Sequence, residues 1–416
     1  VALKMKGLLI IADGLGGRPS DTPEGRTCLE AARTPHLDEL ARRGAVGLLD
    51  PIAPGVRPGS DTAHLSLFGY DPFKEYPGRG VFEAVGVGLE VKEGDICFRT
   101  NFATVDERLV VKDRRAGRIA EGQAELEGAL QQLKPKSAPE VEVFFKVSTE
   151  HRGALVLRGP DLSAAITEAD PHATDKKVLQ VRPTEESPEA ERTARIVNEI
   201  VRQSYELLEG LPINRERERE GKLKANILLL RGASTVPHLR SLPELYGIQG
   251  TVIAAGALYI GIGVLAGLEF KRAEGATGKP DSNLLSKIKL ALQELKSGKD
   301  FVFVHMKGAD SAGHDHNAQA KIAFIERIDE AIGYLIEHLD FDETHLAFTA
   351  DHCTPIVFGD HTADPVPLVI AGPNVLPDKV NSFDERSAME GGLGRLAGRV
   401  VPLLAGYNDW LAKFGT

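Results

Sequence analysis

The sequence predicts an α/β protein: a doubly wound, mostly parallel sheet whose chain is interrupted by a smaller inserted α+β domain. Three observations lead there. Short apolar runs recur as GLLIIAD (7–13), ILLL (227–230), TVIAA (251–255), DFVFVH (300–305), HLAFTAD (345–351) and PLVIAG (367–372). Runs with no polar face suit strands covered on both sides, as in a parallel sheet. Helical periodicity separates most of them, the strand-helix alternation of a doubly wound core. Between about Tyr70 and Arg231 that alternation stops, and VEVFFKV, GALVLRG and one long amphipathic helix take its place.

The elements follow in order. The opening run ends at Asp13 after four or five apolar residues, too short for a signal-peptide core or a membrane span, so it reads as the buried first strand of a cytoplasmic protein. Thr34 and Pro35 open a helix carrying Leu37, Leu40 and Ala41. In the interrupting segment, the helix after TEESPEAER carries Ile196, Val197, Ile200, Val201 and Leu208, and the charge run NRERERE (214–220) reads as a solvated turn or helix end. Ser282 opens a helix with Leu285, Ile288, Leu292 and Leu295; another starts near Asn317 and runs through Ile325, Ile328, Ile332 and Leu335. The domains are therefore expected as 1–70 with 232–416 for the core and 71–231 for the insertion. No internal repeat interrupts them.

At 416 residues, 42% apolar and 26% charged, the chain has room for a large core and an insertion. A net charge of −10 and a pI near 5.7 disfavour a protein that covers nucleic acid, which needs a basic stripe. Cys28, Cys97 and Cys353 have no paired spacing and read as small core residues rather than a disulfide framework. Asparagine and glutamine total only seventeen, the drift expected of a heat-tolerant, thermostable protein.

Chemistry in such a sheet collects at the carboxyl ends of the strands. Asp13 follows GLLIIA, Asp351 and His352 follow HLAFTA, and the stretch HMKGADSAGHDH (305–316) follows DFVFV; His361 lies in the return loop FGDHTADP. Asp310 and His314, four residues apart, share a face on even one helical turn. Mixed carboxylate and imidazole donors suit Mn²⁺, Zn²⁺ or Fe²⁺ better than Ca²⁺, and this many donors suggests two ions. In RPGSDTAHLSLFGYDP (57–72), Gly59 and Ser60 place a hydroxyl at a helix N-terminus, where backbone N–H groups favour an anion, so Ser60 is a candidate nucleophile.

Taken in order, Asp13-Gly14, the Ser60 segment, Asp310-x-x-Gly-His314, Asp351-His352 and His361 resemble the alkaline phosphatase superfamily. With GRGVFEAVGVGLE, FRTNFATVD and GATGKPDSN added, the chain is similar to the cofactor-independent phosphoglycerate mutases of the short archaeal type. The resemblance implies an alkaline phosphatase-like core. It implies two divalent ions, Mn²⁺ first, with Zn²⁺, Co²⁺ or Mg²⁺ as alternatives. Asp310, His314 and His361 would hold one ion; Asp13, Asp351, His352 and the Ser60 oxygen would hold the other. His305 and His316 match no ligand position. The implied reaction is interconversion of 3-phosphoglycerate and 2-phosphoglycerate through a phosphoserine, a step of glycolysis and gluconeogenesis that here needs no bisphosphoglycerate.

A mutase must hold the dephosphorylated glycerate, and the insertion offers planar or polar groups for its carboxylate. The candidates are Arg99, Asn101, Arg114, Arg118, His151, Arg152, Asp170, His172 and Arg231, with Lys279 in GATGKPDSN outside the insertion. The alternative on the same core is a metal-dependent phosphomonoesterase or a mutase of another small phosphorylated acid. A sulfatase is disfavoured because Ser60-Asp61-Thr62-Ala63 offers no cysteine to oxidise. The partner is a small-molecule phosphoglycerate, with no nucleic acid and no membrane, and the sequence leaves homo-oligomerisation open.

Overall fold

The computed structural model describes residues 4–416. Its chain divides into two compact units, one formed by residues up to Tyr76 together with Leu239–Thr416, the other by Pro77–His238. In chain order the strands are β1 (Lys6–Ala12), β2 (Ala45–Asp50), β3 (Ile96–Val105), β4 (Val111–Asp113), β5 (Glu142–Val147), β6 (Arg152–Arg158) and β7 (Ile227–Ser234). They continue with β8 (Gly250–Ile253), β9 (Glu269–Lys271), β10 (Phe301–Met306), β11 (Thr344–Thr349), β12 (Val366–Ala371) and β13 (Gly394–Ala397).

The first unit is the doubly wound core. Its eight-stranded sheet has the order β13-β2-β12-β11-β1-β10-β8-β9, and β12 alone runs against the others. β1 lies in the middle, parallel to both β10 and β11, and Leu8 to Ile11 are fully buried. Each such side chain contributes about 1.5–3 kcal/mol by leaving water, which is why GLLIIA reads as unbroken apolar sequence. The register sets Ala12 beside Met306 and Ile11 beside Thr349, so the three carboxyl ends open on one rim. Helices Pro35–Arg43, Leu284–Lys296 and Ala318–His338 pack on this unit, the last capped by the Asn317 side chain, which accepts from Ala320 N at 3.0 Å. Ser282 is not the cap of the second: Asn283 Oδ1 accepts from Ser286 N at 3.0 Å, while the Ser282 hydroxyl accepts from Thr277 N instead.

The second unit carries an antiparallel sheet in the order β4-β3-β6-β5, with β7 also pairing β3. ILLL forms part of β7 in this sheet, an antiparallel strand rather than the parallel one its composition suggests. Leu228 and Leu230 join Phe98, Phe102, Leu155 and Leu157 in a core sealed by Ile196, Val197, Ile200 and Leu208 of helix Pro188–Leu208. Burial of the whole run erases the alternation that marks an antiparallel strand. NRERERE falls in helix Pro212–Arg219 and is not wholly solvated: Arg217 is buried, donating to Leu223 O (2.7 Å) and Ala116 O (3.3 Å) and pairing with Glu121. All three cysteines are free and buried, and burial pushes the Cys28 and Cys97 thiols up to about 12. Among the described residues no helix is long and apolar enough to cross a membrane.

Candidate metal centre and nucleophile

Asp13 leaves the end of β1 fully buried and is followed by Gly14 at φ +68, a conformation that favours glycine. A Cβ at Gly14 would sit 2.6 Å from Asp310 Cα, so the small residue is what lets two site segments approach. Asp351 and His352 follow β11 and are also fully buried. Asp13, Asp351 and His352 offer ligand atoms within 4.8 Å of one another. His352 Nε2 is 3.2 Å from Asp13 Oδ1, 3.3 Å from Asp351 Oδ2 and 3.2 Å from Ser60 Oγ. Ser60 is the first residue of helix Ser60–Leu67 and is 8% exposed, buried yet reachable.

A short helix, Ala309–His314, presents the second group. Asp310 Oδ1 lies 3.1 Å from His314 Nε2 and 3.3 Å from His361 Nε2. Asp310, His352 and His361 also converge within 4.8 Å, so the two groups share one rim. All three imidazoles are anchored through the other nitrogen: His314 Nδ1 to Gly359 O at 2.9 Å, His361 Nδ1 to Pro58 O at 3.1 Å, and His352 Nδ1 to Thr354 Oγ1 at 3.1 Å. Such a partner fixes ring orientation and tautomer, leaving Nε2 to face the carboxylates.

The crowded carboxylates and imidazoles strongly perturb one another. Although burial pushes Asp13 up, Lys307, His305 and His352 hold its carboxyl well below the usual range. Burial and the charge of Asp13 push Asp351 well above it. The hydrogen bond to Asp310 raises His314 to about 9, whereas burial lowers His64 to about 4 and His305 to about 3. Asp13 Oδ1 and Asp351 Oδ2 are buried without a hydrogen-bond partner. Orphaned carboxylate oxygens facing a shared imidazole are what a divalent ion satisfies.

Several further residues support this rim. The Tyr259 hydroxyl donates to Asp13 Oδ2 at 2.7 Å, and its ring stacks on His305 at 3.4 Å. His305 Nε2 itself lies 3.4 Å from Asp13 Oδ2, so this histidine backs the site rather than joining a separate core. His64 Nδ1 is 2.6 Å from the Ser60 carbonyl oxygen, one turn back on the same helix. Thr354 Oγ1 donates to Asp310 Oδ1 at 3.0 Å. Lys307 reaches Asp13 and Asp310 together. His316 is exposed, with Nδ1 2.6 Å from Ile356 O.

The second unit holds the other candidates except Lys279, with Arg99, Asn101, Arg152 and Arg231 on its sheet. Register sets Arg99 opposite Arg231 and Ala154, and Asn101 opposite Arg152; directly paired residues share a face. Arg99 is pulled down to about 9 by burial and by neighbouring Arg79, with Glu83 opposing. Arg114 grips Asp170 with two bonds (2.9 and 2.7 Å) and touches His172 Nδ1 at 3.1 Å, and Arg231 is 3.3 Å from the same carboxylate. Burial, reinforced by Arg152, lowers buried His151 to about 4. His151 Nδ1, Asn101 Oδ1 and Arg231 Nε find no hydrogen-bond partner. Arg118 lines a cavity of about 400 Å³ with Glu121, Arg217 and Lys222. Lys279, in the first unit, lies in the exposed turn before helix Leu284–Lys296.

Known proteins match this chain along its whole length. A curated relative from Methanopyrus kandleri, named 2,3-bisphosphoglycerate-independent phosphoglycerate mutase, is 49% identical over 99% of both chains. The chain belongs to the 2,3-bisphosphoglycerate-independent phosphoglycerate mutase family. The profile with that description matches residues 41–214, and one described as type I phosphodiesterase / nucleotide pyrophosphatase matches 188–370. Among solved structures, a Pyrococcus horikoshii protein is 39% identical with a TM-score of 0.84 and full coverage of both chains. The cofactor-independent phosphoglycerate mutase of Thermoplasma acidophilum is 36% identical, with a TM-score of 0.70, covering 97% of this chain and 100% of that one.

Proposed function

We propose that the chain interconverts 3-phosphoglycerate and 2-phosphoglycerate through a phosphoserine at Ser60, without bisphosphoglycerate, as its relatives' names imply. The observation that carries this reading is Ser60 Oγ at a helix N-terminus, 3.2 Å from His352 Nε2 within the Asp13–Asp351–His352 group. Two divalent ions, Mn²⁺ first, fit the donors present: Asp310, His314 and His361 for one; Asp13, Asp351, His352 and the Ser60 oxygen for the other. When bound, such ions supply Lewis-acid charge that lowers the serine pKa and offsets charge on the phosphoryl oxygens.

The chain's own residues do the rest. Ser60 Oγ gives up its proton and attacks phosphorus in line; the bond from phosphorus to the substrate oxygen breaks, and that oxygen takes up a proton. The Ser60 and Asp61 backbone N–H groups that open helix Ser60–Leu67 are assigned to the phosphoryl oxygens, since Thr62 N already donates to Asp61 Oδ1 at 2.9 Å. The glycerate stays bound and presents its other hydroxyl, which loses a proton and attacks phosphorus; the bond from phosphorus to Ser60 Oγ breaks, and that oxygen takes up a proton. Arg99, Arg152, Arg231, Asn101 and His151 are assigned to the substrate's carboxylate and hydroxyl groups, supported by the unpaired buried atoms of Asn101, His151 and Arg231. Arg114, Asp170 and His172 hold Arg231 in place; Arg118 and Lys279 lack comparable support.

Purified protein given 3-phosphoglycerate and Mn²⁺, with no bisphosphoglycerate, is expected to form 2-phosphoglycerate to equilibrium by phosphorus NMR. A strict requirement for added bisphosphoglycerate would refute the assignment.

A further inference from the structure

Lys307 is the first residue after β10, and Gly308 behind it holds φ +152, where a Cβ would strike the Phe324 ring at 2.2 Å. This turn aims the lysine across the rim. Its Nζ lies 3.2 Å from Asp13 Oδ2 and 3.5 Å from Asp310 Oδ2, one carboxylate from each proposed ion site, and 3.4 Å from the Tyr259 hydroxyl. Tyr259 already donates to the same Asp13 oxygen, so Lys307 adds charge more than it fills a vacant acceptor. Asp13, Asp310 and Asp351 bring three carboxylates into buried surroundings, where mutual repulsion is weakly screened.

We propose that Lys307 is an internal counter-cation that competes with the divalent ions for Asp13 and Asp310. It keeps the carboxylates assembled when ions are scarce and withdraws from at least one of them when both sites fill. Removing one charge from a shared ligand set must then strengthen ion binding, because an arriving ion no longer displaces or faces an ammonium group. The same removal weakens the ion-free protein. Lys307 is thus a positioning residue that trades ion affinity against a preassembled site.

The inference rests on the proposed ion sites, and titration calorimetry separates the two. Mn²⁺ is titrated into chelator-stripped wild type, Lys307→Met and Lys307→Gln. At least tenfold tighter binding is expected in both neutral variants, with a lower unfolding temperature of the stripped protein than wild type. Equal or weaker binding in the variants, with normal uptake by wild type, would overturn the counter-cation role alone. A wild type that takes up no Mn²⁺ would overturn the ion sites and this role together. Should both variants fail to fold when stripped, a crystal structure of the Mn²⁺-loaded wild type decides. Lys307 Nζ must have left hydrogen-bonding reach of Asp13 or Asp310, and an ammonium still on both carboxylates with two ions bound contradicts the proposal.

Discussion

Ser60→Ala should reduce mutase turnover by on the order of 10⁴-fold or more, since no other group in the rim replaces a covalent acceptor. The substitution removes one oxygen from a helix N-terminus whose cap is Gly59, and the first turn keeps its backbone bonds, such as Ala63 N to Gly59 O at 2.9 Å. Folding should be affected by less than about 1 kcal/mol, within the range of a lost or altered cap. Asp13, Asp351 and His352 remain, so Mn²⁺ uptake by the variant should largely persist. Rapid quenching of wild type with substrate, followed by peptide mass spectrometry, should find phosphate on Ser60. Substantial isomerisation by the alanine variant would show that Ser60 is a helix-start residue and that the phosphoryl group travels elsewhere.

The second large effect concerns Asp310 and His361. Asp310 Oδ1 is the point on which His314, His361 and Thr354 converge, so Asp310→Ala deletes the centre of one donor group and leaves two imidazoles without their carboxylate. Turnover should fall by about 10³-fold or more, as should that of His361→Ala, and one equivalent of bound metal should be lost by elemental analysis. His316→Ala, on an exposed residue two positions past His314, should change turnover less than about twofold. Chelator treatment of wild type should abolish activity and Mn²⁺ should restore it. Full activity in metal-free protein would remove the two-ion reading.

The core fold and the meeting of the strand ends were legible in the sequence for one reason: parallel strands buried on both faces are written as unbroken apolar runs. Each run then points to the residue that follows it. That is how Asp13, Asp310 and Asp351 can be brought to one rim on paper. The same lack of alternation makes ILLL look like a parallel strand, although it pairs antiparallel with β3, which lies more than a hundred residues earlier. β2 and β13 escape notice because a glycine interrupts the apolar run of AVGLLD and GRLA is a four-residue edge with one apolar pair.

Tyr259 and His64 were illegible for a different reason. Tyr259 sits inside an apolar helix, where a single polar atom leaves no spacing signature, and only the fold turns it toward Asp13; His64 lies within the Ser60 segment itself, and only the helical turn brings its ring back to the Ser60 carbonyl oxygen. Lys307 did carry a signal, a lysine directly after a strand and before a glycine, within the same stretch as Asp310 and His314. The arginines of the second unit were visible as residues but not as a network, because Arg114 and Asp170 are far apart in sequence and Arg79 and Glu83 stood out in no charge cluster.

Mutase and phosphomonoesterase share formation of phosphoserine and differ only in whether retained glycerate or water accepts the phosphoryl group. Turnover of 3-phosphoglycerate in oxygen-18-labelled water, with product analysis by mass spectrometry, tests that difference directly. The account predicts 2-phosphoglycerate whose phosphoryl group carries no label, with little free phosphate. Labelled inorganic phosphate as the main product would contradict it.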